Sequence, residues 1–251
     1  MTAKNGRAPR SPLVQPAFYF ARRGTEEVFF AVVDHLIDRG GRVVDVVLGE
    51  VGAVDALADP VHDRIDRVAV RGRAELDSVR ASTGRVIAGV GLADVGAGSS
   101  GRDVQVRVLP IPEAAVGRDH HPIAIWCDGR AFEPGAGSTR KRAAAGVLDL
   151  FTSVVVALSP SYGAILVEWP LPCPYEVGER PDGFEFADFY LATDYVGREK
   201  LDKIAALASD RCTTLPEGTL FLTSGLFGAR AESVEDIGTW AALAVVAADR
   251  A

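Results

Sequence analysis

Four lysines, four histidines, three cysteines and one methionine leave this 251-residue chain poor in several groups that carry chemistry. Each scarcity narrows the reading. Cys127, Cys173 and Cys212 are far apart, odd in number, and form no Cys-x-x-Cys pair. That pattern argues against a disulfide framework or a structural zinc site, and predicts a reducing, cytoplasmic setting. No apolar run reaches the ~18 residues that a spanning helix needs, so no membrane partner is expected. The polar start, Met1 to Pro16, lacks the apolar stretch of a signal peptide and reads as a flexible lead. Basic charge is also short, with 27 Lys+Arg against 34 Asp+Glu and a formal net charge of −7. A nucleic-acid binder shows a basic surplus on its binding face, so nucleic acid is not an expected partner. The excess of Arg over Lys, with abundant Ala, Val and Gly, is the composition of a GC-rich bacterial genome and says nothing of function.

What is present is globular. Apolar residues are 48% of the chain and charged residues 24%, enough to build a sizeable core. The first strand is predicted at 17–22, from the β-propensity of Phe18, Tyr19 and Phe20. A helix capped by Thr25 follows, with Val28, Phe29, Val32, Val33 and Leu36 on one face. Gly40-Gly41 ends it, and a strand at 42–48 closes a β-α-β unit. The pattern is poor from 50 to 85. Strands at 85–92 and 104–109 alternate as a hairpin around the glycines of 96–101, and another strand is predicted at 122–127. The second half has a helix at 139–158, strands at 163–169, 184–193 and 219–223, and a helix at 198–209. A terminal helix opens on the capping box Ser233–Asp236. Interleaved elements with hairpins predict an α+β fold with a mixed or mostly antiparallel sheet. The halves, 17–116 and 117–251, are expected to be two similar units or to share one sheet.

Candidate chemistry is thin. His35 lies at the edge of a helical apolar face, and His62-Asp63 lies in an undefined loop. Asp119-His120-His121 is the one local acid–histidine cluster, and its spacing matches no metal signature. The turn 135–139 before Arg140-Lys141-Arg142 lacks the spacing of a phosphate loop. No metal or other cofactor is therefore expected. Cys173, held between Pro172 and Pro174, lacks the setting that activates a thiol. An enzymatic alternative, a small bacterial enzyme of the secondary-metabolism type, would combine His120 or His121 with Glu168 or Asp188.

The sharper feature is acidic. Between Tyr175 and Tyr195, Glu176, Glu179, Asp182, Glu185, Asp188 and Asp194 face Arg180 alone, and prolines at 170, 172, 174 and 181 stiffen the start. An acidic loop flanked by Trp169, Tyr175 and Tyr195 suits a basic protein surface, since charge steers encounter and aromatics anchor it. Trp169, Tyr175, Glu176, Glu179, Asp182, Glu185 and Tyr195 are the expected partner-binding residues.

The segments Tyr162–Glu168, Leu171–Pro174 and Asp188–Tyr190 resemble the α+β immunity proteins of bacterial polymorphic-toxin systems, over roughly 140–228. The resemblance implies a cytoplasmic, non-catalytic protein that binds and blocks a toxin, and it supplies no catalytic residues. The expected function is that of an immunity-type inhibitor occluding a basic partner.

Overall fold

The structure, a computed structural model, describes residues 13–49, 66–82, 86–95, 102–129, 132, 137–180, 186–224 and 234–250. Its first strand, β1 (Leu13–Tyr19), begins four residues before the predicted one and contains Pro16. Proline within a run argues against a central strand, because it cannot donate to the ladder. Here the chain accommodates it where pairing to one neighbour lapses: Leu13, Val14, Ala17 and Phe18 pair across that ladder, whereas Gln15 and Pro16 do not.

The remaining elements run α1 (Thr25–Asp38), β2 (Arg42–Gly49), β3 (Asp66–Ala69), α2 (Arg73–Ser82), β4 (Val86–Val95), β5 (Arg102–Val108), β6 (Ile123–Asp128) and α3 (Gly137–Leu158). They continue with β7 (Tyr162–Val167), α4 (Pro174–Glu179), β8 (Asp188–Ala192), α5 (Thr193–Val196), α6 (Arg198–Ala208), β9 (Cys212–Leu215), β10 (Gly218–Leu222) and α7 (Val234–Asp249). The predicted glycine stop holds at α1: Gly40 takes φ 94° and the Gly41 N–H reaches the Leu36 carbonyl. Thr25 is not the cap. Gly24 occupies that position, and the Thr25 hydroxyl instead accepts the His121 N–H at 3.2 Å. The predicted capping residue Ser233 and the glycine loop 96–101 lie outside the described residues.

The fold is α+β, as the pattern of elements predicts. Among the described residues ten strands form one sheet in the order β3-β2-β4-β5-β6-β1-β7-β8-β10-β9, and neighbouring strands are antiparallel. Two of the helical crossovers leave β1 towards β2 and β6 towards β7. They step in opposite lateral directions from strands that run in opposite directions. A half-turn about the sheet normal relates the two, so a common hand puts α1 and α3 on the same face. There Val14, Phe18, Val46, Val90, Val106, Ile125 and Phe151 share one core. Phe18 stacks on Phe151 at 5.1 Å.

Alternation sends Ala17 and Tyr19 to the opposite face, into a second core with Tyr162, Phe186, Phe189 and Phe221. Helices α4, α5, α6 and α7 pack together over it, with α5 and α6 against β8 and β10. The second face is thus covered by helices over β7, β8 and β10. Over β2, β4 and β5 the described residues place no helix on it.

Candidate functional site

The expected partner-binding segment starts where β7 ends. Glu168 takes φ 65°, a left-handed conformation that costs a non-glycine residue about 1 kcal/mol. Three contacts hold it: the Glu168 N–H donates to the Leu13 carbonyl at 3.0 Å, the Glu168 carboxylate accepts the Leu13 N–H, and the Gln15 amide donates to the Trp169 carbonyl. Pro170 follows, and the Trp169 side chain projects outward, 73% exposed. The chain then forms α4 instead of an extended loop. Its start is a capping box in which the Glu176 carboxylate accepts the Cys173 N–H at 2.9 Å, with Pro174 in the first turn.

Glu176 is therefore occupied and half-buried. Tyr175 is half-buried too; its N–H donates to the Asp119 carboxylate at 2.8 Å, and the Arg118 guanidinium lies 5.4 Å above its ring. Tyr195, on α5, stacks on Tyr162 at 6.0 Å. Glu179 is exposed. Asp182 and Glu185 lie outside the described residues. Beneath this segment Tyr19, Tyr162 and Cys173 are buried, and burial pushes both the Cys173 thiol and the Tyr162 phenol well above their ordinary values. That thiol stays protonated at neutral pH.

The second expected set is not brought together. The His121 ring meets the Leu109 carbonyl at 2.8 Å, and the His120 N–H meets the Tyr19 hydroxyl. Tyr19 pairs with Tyr162 at the start of β7, whereas Glu168 follows its end. At about 3.3 Å per residue the histidines and Glu168 are separated by roughly 20 Å. Asp188 is buried and held by the Ser224 N–H and hydroxyl. Burial raises its carboxyl above the usual carboxylate range. Tyr190 pairs with Gly163 and Phe189 with Ala164. Asp188 and Tyr190 therefore share the face opposite to Ala164 and Leu166. A one-residue difference in register decides this, and sequence alone does not fix it.

A third constellation was not expected from sequence. It lies on the face of β2, β4, β5 and β6 that carries no described helix. Asp45 pairs with Gly91, Gly91 with Gln105, and Gln105 with Trp126, forming one cross-strand row. Gly89 and Arg107 pair in the next row. The row of Asp45, Gly91, Gln105 and Trp126 lines an open depression of about 790 Å³, whose wall also carries Arg42, Arg67, Asp94, Asp103 and Asp128; Gly89 and Arg107 lie in the row beside it.

Arg107 is 8% exposed, its guanidinium lies 4.8 Å over the Trp126 ring, and among the described residues its Nε and Nη1 have no hydrogen-bond partner. Trp126 Nε1 and Asp45 Oδ1 are likewise buried and unpartnered, while Asp45 Oδ2 faces Arg67 at 3.7 Å. Burial, and then the Arg67 charge, pull the Arg107 guanidinium down to about 10, with Asp45 acting the other way. The signals for this site are Gly89-x-Gly91 within an apolar strand and a lone arginine in Val104–Val108.

No family model matches the chain, and no curated protein matches it. Among solved structures, a Pseudomonas aeruginosa T6SS protein, PA0821, aligns with a TM-score of 0.48 and 11% identity. The alignment covers 97% of this chain and 76% of that one. A likeness at this level carries no information on function.

Proposed function

We propose that the chain is a binding protein of the immunity type, which acts by covering a protein partner, with Trp169 as the anchor of the contact. The observation that carries this reading is the turn itself. An apolar side chain of this size, 73% exposed, sits on a backbone in an unfavourable conformation that two separate side-chain contacts maintain. A pre-ordered aromatic loses little freedom on binding, and buried tryptophans dominate interface energetics. Glu179, exposed nearby in sequence, and the net charge of −7 favour a basic partner through steering. The resemblance of 140–228 to immunity proteins supports the inhibitory role.

The test is affinity selection of a host protein on the tagged full chain, followed by titration. The selected protein should be toxic when expressed alone and harmless beside the wild-type chain. Trp169→Ala should weaken binding by about 2–4 kcal/mol, roughly 30- to 1000-fold. Glu179→Lys should slow association and flatten its salt dependence. Equal affinity for wild type and Trp169→Ala, or a partner that the chain does not inhibit, overturns the reading.

A further inference from the structure

Two glycines on one face of β4 make room for two charged side chains. A Cβ at Gly89 would lie 2.7 Å from Arg107 Cδ, and one at Gly91 would lie 2.5 Å from Asp45 Oδ1. Glycine inside a strand weakens it, and its usual reason is a close approach from above. The side chains so admitted are left incomplete. Three donors, Arg107 Nε, Arg107 Nη1 and Trp126 Nε1, and one acceptor, Asp45 Oδ1, are buried without partners among the described residues. Stacking on Trp126 offsets only part of the cost of burying the guanidinium charge unpaired. Among these three groups Arg67 and Arg107 exceed Asp45 by one positive charge; the rest of the depression's wall carries Arg42 paired with Asp94, and also Asp103 and Asp128. Arg67 is well exposed, which makes it the adjustable wall of the site.

We propose that Arg107, Trp126, Asp45 and Arg67 form a binding site for a small carboxylate that carries a neighbouring N–H donor, an α-amino acid being the simplest member of the class. The guanidinium takes the carboxylate in a planar, forked contact and the indole N–H adds a further donor, while the Asp45 charge beside them disfavours the second negative charge of a phosphate. Asp45 takes the donor. Gly89 and Gly91 are two residues apart on one strand, roughly 6–7 Å, a span that a single short molecule bridges. The site adjoins the Trp169 turn through Leu13, which lines the depression and bonds Glu168, but it does not depend on the partner-binding reading.

The experiment uses the full chain carrying Trp169→Phe and Trp240→Phe, which leaves Trp126 as its fluorophore. L-alanine, acetate, methylammonium and inorganic phosphate are titrated separately to about 50 mM, the range in which weak fragments saturate. L-alanine should saturate, about tenfold more tightly than acetate, and methylammonium should not. Arg107→Lys keeps the charge but not the fork, and should weaken L-alanine at least about tenfold. Asp45→Asn should reduce L-alanine to the level of acetate and leave acetate unchanged. No saturation by L-alanine, or phosphate binding as tightly as L-alanine, overturns the proposal. Because the parent chain alone decides that first comparison, a variant that fails to fold does not rescue it.

Discussion

His35 contributes to the response of the molecule to acid. It lies on α1, and its ring reaches the Ser153 hydroxyl of α3 at 3.1 Å. Burial, and then the Arg39 charge, hold it below its usual value, while Asp38 opposes them. Arg39 itself pairs with Asp149 on α3, so the local positive charge is partly offset. The sign follows from proton counting. Below its ordinary value of 6.5 the unfolded chain takes up a proton at this position that the folded chain resists. The stabilisation is complete above that value and is lost as pH falls through the lower, folded value. Urea midpoints should therefore drop between roughly pH 7 and pH 5. His35→Gln, which keeps a polar reach to Ser153, should flatten that part of the profile. An unchanged slope would assign the acid sensitivity to other groups.

Among the elements, α3 contributes most through one contact. Phe151 is fully buried and stacks on Phe18, so the helix is fixed to the central strand of the sheet. Phe151→Ala should cost about 3–5 kcal/mol, whereas Val156→Ala, on the exposed side of the same helix, should stay within about 0.5 kcal/mol. Denaturant unfolding of the two variants measures the difference directly. This asymmetry was legible before the structure: Val147, Phe151 and Val154 recur at helical spacing, and Ser159-Pro160 marks the stop. The glycine stop of α1 and the β4–β5 hairpin were legible for the same reason, since each rests on local chemistry. The start of β1 was hidden because Pro16 forbids a strand by every local rule, and only the lapse in its ladder admits it. Helix α4 carries a loop signal in the sequence because Pro170 and Pro172 precede it and Pro174 opens it, the position where a first turn tolerates proline. The polar face of β4 and β5 stayed hidden for a different reason. Asp45, Arg107 and Trp126 are brought together by the register of four strands, and no local pattern encodes that register.

At the scale of the molecule, the placement of β1 decides how the chain can be divided. It is the first strand in sequence, yet both of its neighbours, β6 and β7, come from the part after residue 116. A cut between 116 and 117 would leave one fragment whose first strand has lost both partners. It would leave the other with a gap between β6 and β7, and with Val14, Ala17, Phe18 and Tyr19 missing from the two cores. Neither core closes without that strand, because alternate residues of β1 serve opposite faces. Expressed alone, 1–116 and 117–251 should each lack cooperative unfolding and dispersed amide resonances. Mixed or co-expressed, they should associate and recover a single urea transition resembling that of the intact chain. A cooperative transition from 117–251 on its own would mean that β6 and β7 close up without β1. The chain would then be two units that merely share an edge.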